Sequence, residues 1–476
     1  MSPSSPTDWN RIARALDPLR TLELGPELEG LYVEPPYSPS ALIARKLGAW
    51  QRSSAGLGSP GRPPKFLFCG ARGSGKTTQL RHLFGALSPA HDPLLLDLAP
   101  VLPERASTSA IVTHMGLALL ARQVHYAGGD VEAVSRRPEA QAFAAALQQL
   151  LHPQVDAASR GGLNLAPLID AIGPVLIALD VVGGGAASAV TGLARAATEG
   201  WRHLVDRLRP VKDLSRSPSL TRQLSGDEQG AADDLVRSVG ALAGALHGIS
   251  GRAPVLLVDG LDKMLRLEDA LAAFENVELL RGLDLALVMS GPVVLRQAVR
   301  FAGLRMDLGV LLNHNLPVVD AAGRTRAEGV DALTAILSRR LDRALARRFE
   351  PEAVQVAARM SSGVPREFLR FLSEAAQIAE ERDAPAVTLA HVQAVLKETR
   401  LILQQSLTSD DVSRLGAILD THRMGEQDRD QELFYEGFIV SYPNDDAYFR
   451  PNEILEEWVR VESGRLAALP GRRREA

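Results

Sequence analysis

Gly70-Ala71-Arg72-Gly73-Ser74-Gly75-Lys76-Thr77 has the spacing G-x-x-x-x-G-K-T. Glycines at these places let backbone N–H groups close around phosphate oxygens. On this spacing Gly70, Arg72, Gly73, Ser74, Gly75 and Thr78 are expected to contact bound ATP. Lys76 would reach the β- and γ-phosphates and act catalytically, and the Thr77 hydroxyl would hold Mg²⁺. Upstream, Lys65 to Cys69 is an apolar run that reads as a buried strand. Downstream, Thr78 to Leu87 reads as a helix whose positive N-terminal end would face the phosphates. An ordinary Gly-rich turn is the plainer reading, and a second motif argues against it.

That motif is Val255-Leu256-Leu257-Val258-Asp259-Gly260-Leu261-Asp262-Lys263. An apolar strand ending in an acid places the carboxylate at the carboxyl edge of a sheet, where open α/β folds bind ligands. Asp259 is expected to hold Mg²⁺, and Asp262 to orient or deprotonate the attacking water. Ser290 falls at the tip of the next expected strand and could bond the water or the γ-phosphate. Gly363-Val364-Pro365-Arg366 opens a helix, with Pro365 beside the nucleotide and Arg366 able to swing onto the γ-phosphate. Each has a bland counterpart: an Asp-Gly turn, a strand-end serine, a surface arginine.

The elements that must position these residues follow from periodicity. Strands are expected at 93–98, 254–259, 283–290 and 316–319, and helices at 38–51, 109–126 and 131–152. Strands alternating with helices predict an α/β fold with a parallel sheet covered on both faces. Residues 327–400 read as helical throughout. From Ser409 a helix pair leads to two short strands about the polar turn Pro443-Asn444-Asp445-Asp446. The domains expected are an N-terminal leader (1–62), an NTPase core (63–325) with a helical insertion and loop (154–250), a helical lid (326–405), and a winged-helix-like domain with a tail (406–476).

The 476 residues are 46% hydrophobic and carry a net charge of −4, which suits a globular protein with no global pull toward nucleic acid. Six of the 53 basic residues are lysines, and two of those six, Lys76 and Lys263, lie in the motifs. Cys69 is the only cysteine, so no internal disulfide or cysteine-based metal site is possible. The first residues lack the basic–apolar–small order of a signal peptide, so a cytoplasmic location is expected. The stretch 163–193 is apolar, but Asp170, Asp180 and Gly183-Gly184-Gly185 break it. Each acid at mid-bilayer would cost about 2.5–3.5 kcal/mol, so a membrane span is disfavoured.

Together the motifs resemble the additional-strand P-loop ATPases, the group that holds AAA+ and STAND proteins. The D-G-L-D-K form is similar to STAND and KAP-type NTPases, and the lid resembles that of origin-recognition-type AAA+ initiators. The resemblance implies ATP and Mg²⁺ as cofactors, Lys76, Thr77 and Asp259 as their ligands, and Arg366 as a sensor. Gly260 departs from it, standing where an acid usually follows the strand-end aspartate; slow hydrolysis is therefore expected. Arg296, Arg300 and Arg305 allow no choice of arginine finger.

Three functions fit: an ATP-dependent regulatory switch acting on a protein partner or on its own oligomeric state, a DNA-associated initiator-type ATPase, and a membrane-associated KAP-like NTPase. The first is favoured, and the resemblance suggests a bacterial signalling or phage-defence setting for it. The helix before the wing carries Glu426, Asp428, Asp430, Glu432 and Glu436 against one Arg429, and the wing carries Asp445 and Asp446. Such a surface repels a phosphate backbone. It is expected instead to dock on the lid, at Arg339, Arg340, Arg343, Arg347 and Arg348.

Overall fold

Five short apolar runs form one all-parallel sheet: β1 (Lys65–Gly70), β2 (Asp92–Asp97), β3 (Pro254–Asp259), β4 (Ala286–Pro292) and β5 (Gly309–Asn313), in the order β2-β3-β4-β1-β5. The computed structural model describes residues 8–56, 61–102, 107–151, 163–172, 214, 229–263, 266–296, 308–425, 427–443 and 448–468. The strands are apolar on both faces because helices cover both. Leu67, Leu96, Leu256, Val258 and Met289 face one core. Phe66, Phe68, Leu95, Leu257 and Val288 face the other. β4 lies between the loop-bearing β1 and the acidic β3, which is the additional strand.

Three helices precede the sheet: α1 (Asp8–Ala15), α2 (Pro26–Leu31) and α3 (Pro39–Gly56). Helix α4 (Lys76–Leu87) follows β1 and packs with α3 on the second face through Leu80, Leu83, Phe84, Ile43 and Leu47. Between β2 and β3 run α5 (Thr108–Tyr126), α6 (Val131–Ser135), α7 (Pro138–Leu151), α8 (Ala166–Ile172) and α9 (Gln229–Ser250). The continuous helix expected at 131–152 is in fact α6 and α7. Pro138 divides them, since its ring suits a first turn and not a helix interior. Of the apolar stretch, α8 covers 166–172; Asp180 and Gly183-Gly184-Gly185 lie outside the described residues. Among the described residues no helix is long and apolar enough to cross a membrane.

Helices α10 (Leu267–Ala272) and α11 (Val277–Gly282) lead into β4, and a short 3₁₀ turn, Val293–Arg296, leaves it. The last strand is Gly309–Asn313, not 316–319. Pro317 has no N–H to give a ladder, and Val319 makes only an isolated bridge to Thr325. That segment is instead the linker to the helical lid.

The lid comprises α12 (Ala327–Arg340), α13 (Arg343–Ala346), α14 (Pro351–Met360), α15 (Pro365–Glu381) and α16 (Leu389–Gln405). Its core of Leu333, Ala357, Phe368, Phe371, Leu372 and Val392 also takes Ile12 from α1 and Leu16 just after it. Three of the lid arginines expected to receive the acidic module are used here instead. Arg339 donates to the Tyr32 carbonyl, Arg340 to the Ala15 carbonyl at 3.1 Å, and Arg348 to Asp8 at 2.7 Å. The N-terminal helices reach these cations first.

The C-terminal module is a helix pair, α17 (Ser409–Thr421) and α18 (Asp428–Glu436), an antiparallel hairpin, β6 (Ile439–Tyr442) and β7 (Tyr448–Pro451), and α19 (Glu456–Ala467). Glu426, Asp445 and Asp446 lie outside the described residues. Leu433, Phe434 and Ile439 join the core of the NTPase domain, whereas Val440, Tyr442 and Ile454 join that of the lid. The module is thus packed across both.

Candidate functional site

The phosphate loop is shaped by its glycines. Gly73 and Gly75 sit at φ +78° and +89°, where L side chains are strained. A Cβ on Gly70 would lie 2.9 Å from the Asn313 carbonyl oxygen and from Ser74 Oγ. Asn313, at the end of β5, donates from Nδ2 to Ser74 O at 2.9 Å and accepts from Gln79 Nε2 at 2.8 Å. Ser38, just before α3, donates to Gln79 Oε1 at 2.9 Å. A buried polar chain therefore runs from the N-terminal segment through α4 to the loop, and the motif reading had not singled out any of its members except Ser74.

Lys76 is almost wholly buried, and its ammonium is fully engaged: Gly70 O at 2.9 Å, Ala71 O at 2.8 Å and Asp262 Oδ2 at 2.6 Å. The Thr77 hydroxyl donates to Asp259 Oδ2 at 2.6 Å. The two residues expected to share a metal are thus side by side, although 182 positions apart in the chain. Asp259 is buried, and its Oδ1 has no partner among the described residues. Burial alone would push this carboxyl up; Lys263, the Thr77 hydroxyl and the Gly260 N–H outweigh it and hold it below its ordinary value. A buried, ionised carboxylate with a free oxygen beside a hydroxyl suits Mg²⁺, a hard cation that takes oxygen ligands. The residues fit an Mg²⁺–nucleotide.

Asp97 ends β2 directly opposite Asp259 in the register. Lys263 Nζ stands 3.4 Å from Asp259 Oδ2 and 3.4 Å from both Asp97 oxygens. Asp97 escaped the sequence reading because only the pairing of β2 with β3 makes it a neighbour. Ser290 is fully buried, with no partner for Oγ among the described residues. It lies inside β4 opposite Phe68, two positions before the strand ends at Pro292. Asp262 Oδ1 is likewise unpartnered among the described residues.

Gly260 sits at φ +94°, and a Cβ there would lie 2.5 Å from the Ala99 backbone nitrogen. No acid can occupy that position without moving the chain after β2. Asp262, two residues on, is the acid the fold leaves near the phosphate loop.

The lid presses on the loop at one point. The Arg366 N–H donates to the Gly73 carbonyl at 3.4 Å, and a Cβ on Gly73 would lie 2.7 Å from Arg366 Cβ. Pro365 occupies the first turn of α15, where its missing N–H costs nothing. Gly363 holds φ +72°, and a Cβ there would collide with the Leu316 carbonyl at 1.9 Å. That glycine lets the start of α15 seat on the linker from β5. A second contact comes from α18: Arg72 donates to the Tyr435 hydroxyl at 3.1 Å and lies 5.0 Å from that ring's centroid.

The cleft so formed has two ends that share Gly75, Thr78, Arg340, Pro365 and Leu369. The polar end holds Arg72, Gly73, Lys76, Thr77, Asp262, Lys263 and Arg366. The apolar end is walled by Leu22, Leu31, Val33, Leu316 and Ile336. Tyr32 also lines it and stacks on His82, ring centroids 4.0 Å apart. Arg296 is exposed at the end of the 3₁₀ turn; Arg300 and Arg305 lie outside the described residues.

This is the fold of an additional-strand P-loop NTPase. No family model matches the chain, and no curated protein is significantly similar to it. Among solved structures it is similar to the Aeropyrum pernix ORC1 protein in complex with DNA, at 14% identity over 96% of this chain and 97% of that one, with a TM-score of 0.35. The Drosophila ORC bound to DNA matches at 15% identity over 96% and 93%, with a TM-score of 0.34. The Aeropyrum pernix ORC2 protein in ADPNP–ADP complexes matches at 10% identity over 91% and 95%, with a TM-score of 0.36.

Proposed function

We propose that the protein is an AAA+-type ATP-binding switch in which nucleotide state sets the position of the lid and of the C-terminal module. The observation that carries this reading is that both bodies touch the phosphate loop itself, the lid through Arg366 and Gly73 and the module through Tyr435 and Arg72. A change in the loop on binding phosphate would reach both directly. In this reading the apolar end of the cleft takes the base. The loop amides and Lys76 take the phosphates, and Thr77 with Asp259 holds Mg²⁺, which neutralises phosphate charge. Lys76 leaves Asp262 for the phosphates, so Asp262 becomes available to orient water. Arg366 contacts the γ-phosphate, and Ser290 supports the water or phosphate from β4. Turnover is slow because Gly260 excludes an acid beside Asp259. The output is altered self-association or exposure of a protein-binding face.

The second reading is a DNA-associated initiator-type ATPase, which rests on the order of core, helical lid and winged-helix-like module. In it α18 would have to give up the burial of Leu433, Phe434 and Tyr435, which share the core cluster of the NTPase domain.

Removing Lys76 alone would leave the buried Asp262 uncompensated and cost stability. The double variant Lys76→Met/Asp262→Asn removes both charges. It is expected to fold, as judged by its melting temperature, and to lose tight binding of a fluorescent ATP analogue. Binding equal to the parent's overturns the nucleotide-site assignment. Identical sedimentation of the parent in ATP and ADP would remove a switch acting through self-association, and salt-sensitive binding of a DNA duplex would favour the second reading.

A further inference from the structure

The paired strand ends β2 and β3 bring two carboxylates together, and one lysine stands between them. Asp97 and Asp259 are register partners, and Lys263 Nζ is 3.4 Å from oxygens of each. Asp259 is the residue whose free Oδ1 and Thr77 contact suit Mg²⁺. Lys263 is less confined than its partners: its side chain is 39% exposed against 24% for Asp97 and 1% for Asp259. It also lines the polar end of the cleft with Lys76, Thr77 and Arg366. The chain uses lysine for only six of its 53 basic residues, and here it places a compact ammonium on a flexible stem.

We propose that Lys263 is a tethered cation that partly offsets the charge of Asp97 and Asp259 when Mg²⁺ is absent, and so sets the Mg²⁺ concentration at which nucleotide binds. The reasoning is one of charge. Two adjacent carboxylates within a mostly buried edge repel each other, and a single ammonium relieves this only in part. A divalent ion relieves it fully but must first displace the ammonium, which is free to turn toward the cleft. The lysine therefore opposes Mg²⁺ at the site without being a ligand. This inference rests on the nucleotide–Mg²⁺ reading given above.

The test is a Mg²⁺ titration of fluorescent ATP-analogue binding by the full-length parent, Lys263→Met and Lys263→Arg, with melting temperatures recorded alongside. Removing a like charge at this distance is expected to lower the Mg²⁺ midpoint about tenfold in Lys263→Met. Lys263→Arg, which keeps the charge, should stay near the parent; a residue with a merely packing role would not give that split. A second readout needs no nucleotide: Mn²⁺ binding followed by electron paramagnetic resonance should tighten by about the same factor in Lys263→Met. An unchanged Mg²⁺ midpoint in Lys263→Met, with the parent binding nucleotide in a Mg²⁺-dependent way, overturns the inference and leaves the nucleotide reading standing. A parent that shows no Mg²⁺-dependent binding overturns both.

Discussion

At the scale of single residues, Gly260 stands where the motif it resembles carries an acid, and its position is sterically constrained. Its backbone lies in the left-handed region, and the Ala99 backbone nitrogen occupies the space a Cβ would need. A positive φ and a backbone neighbour at 2.5 Å strain any side chain there, acidic or not, and require the chain after β2 to shift. Gly260→Ala is therefore expected to destabilise the protein by about 1–3 kcal/mol, read as a lower denaturant midpoint. An unchanged midpoint would mean that the chain after β2 yields easily, and that the missing acid reflects something other than geometry. The same residue gives the proposed slow turnover a structural basis, since the strand end cannot be supplied with a second carboxylate by a point change.

At the scale of elements, two ion pairs among the described residues join the C-terminal helix pair, and the shorter is the one between Asp411 and Arg429. Asp411 lies in the first turn of α17, where the Thr408 hydroxyl accepts from its N–H and its own Oδ2 accepts from the Thr408 N–H at 3.0 Å. Arg429 of α18 grips both of its oxygens, at 2.7 and 2.9 Å. That bidentate bond is the main cause that brings the carboxyl down to about 2 from an ordinary 3.8. A depressed folded value means that the stabilisation is present above the unfolded pKa and is lost as pH falls through the folded one. Between pH 3.8 and about 2 the junction of α17 and α18 should therefore weaken. Asp411→Asn should remove that part of the acid transition, followed through the fluorescence of Trp458 on α19. If parent and variant share one acid profile, Asp411 does not hold the helix pair. The acidic surface foreseen on α18 is also partly spent inside the module: Asp430 lies 3.4 Å from Arg414, and Glu432 2.8 Å from Arg429.

At the scale of the whole molecule, three bodies meet at the phosphate loop, and the C-terminal one does not dock where charge alone suggested. It reaches the loop through Tyr435 and shares its apolar side with the NTPase core. Deleting the module would strip Leu433, Phe434 and Ile439 from that core, so a point change is the cleaner probe. Tyr435→Ala removes both the ring over Arg72 and its hydroxyl, and nucleotide release is expected to speed up several-fold. Tyr435→Phe keeps the ring and should fall between the two. Stopped-flow displacement of a fluorescent nucleotide measures this, and equal release rates in Tyr435→Ala and the parent would refute a latch on the loop.

What the sequence determined by itself is what short stretches of chain control. The G-x-x-x-x-G-K-T loop, the apolar strand ending at Asp259 and the helix opened by Pro365 depend on backbone freedom, strand periodicity and helix-end chemistry within a few residues, and all three are read directly. A parallel sheet, a helical lid and a terminal helix–hairpin unit follow from the same signals. Register and pairing were out of reach, because those contacts join residues far apart in the chain. Arg72 and Tyr435 are 363 positions apart, and Asn313 and Ser74 are 239. The fifth strand was misplaced because Leu316 to Val319 is the more apolar run, although Pro317 already argues against a ladder there; Gly309 to Asn313, with a glycine and an asparagine at its ends, is recognised as a strand only once it is seen paired along β1. Asp97 is ordinary in the sequence and becomes part of the site through β2 lying against β3. Three of the five lid arginines, Arg339, Arg340 and Arg348, were assigned to the wrong partner for a similar reason. Charge complementarity says which surfaces attract, but the helices that reach those surfaces first are set by the path of the chain, and here α1 and the turn after α2 arrive before the acidic module does.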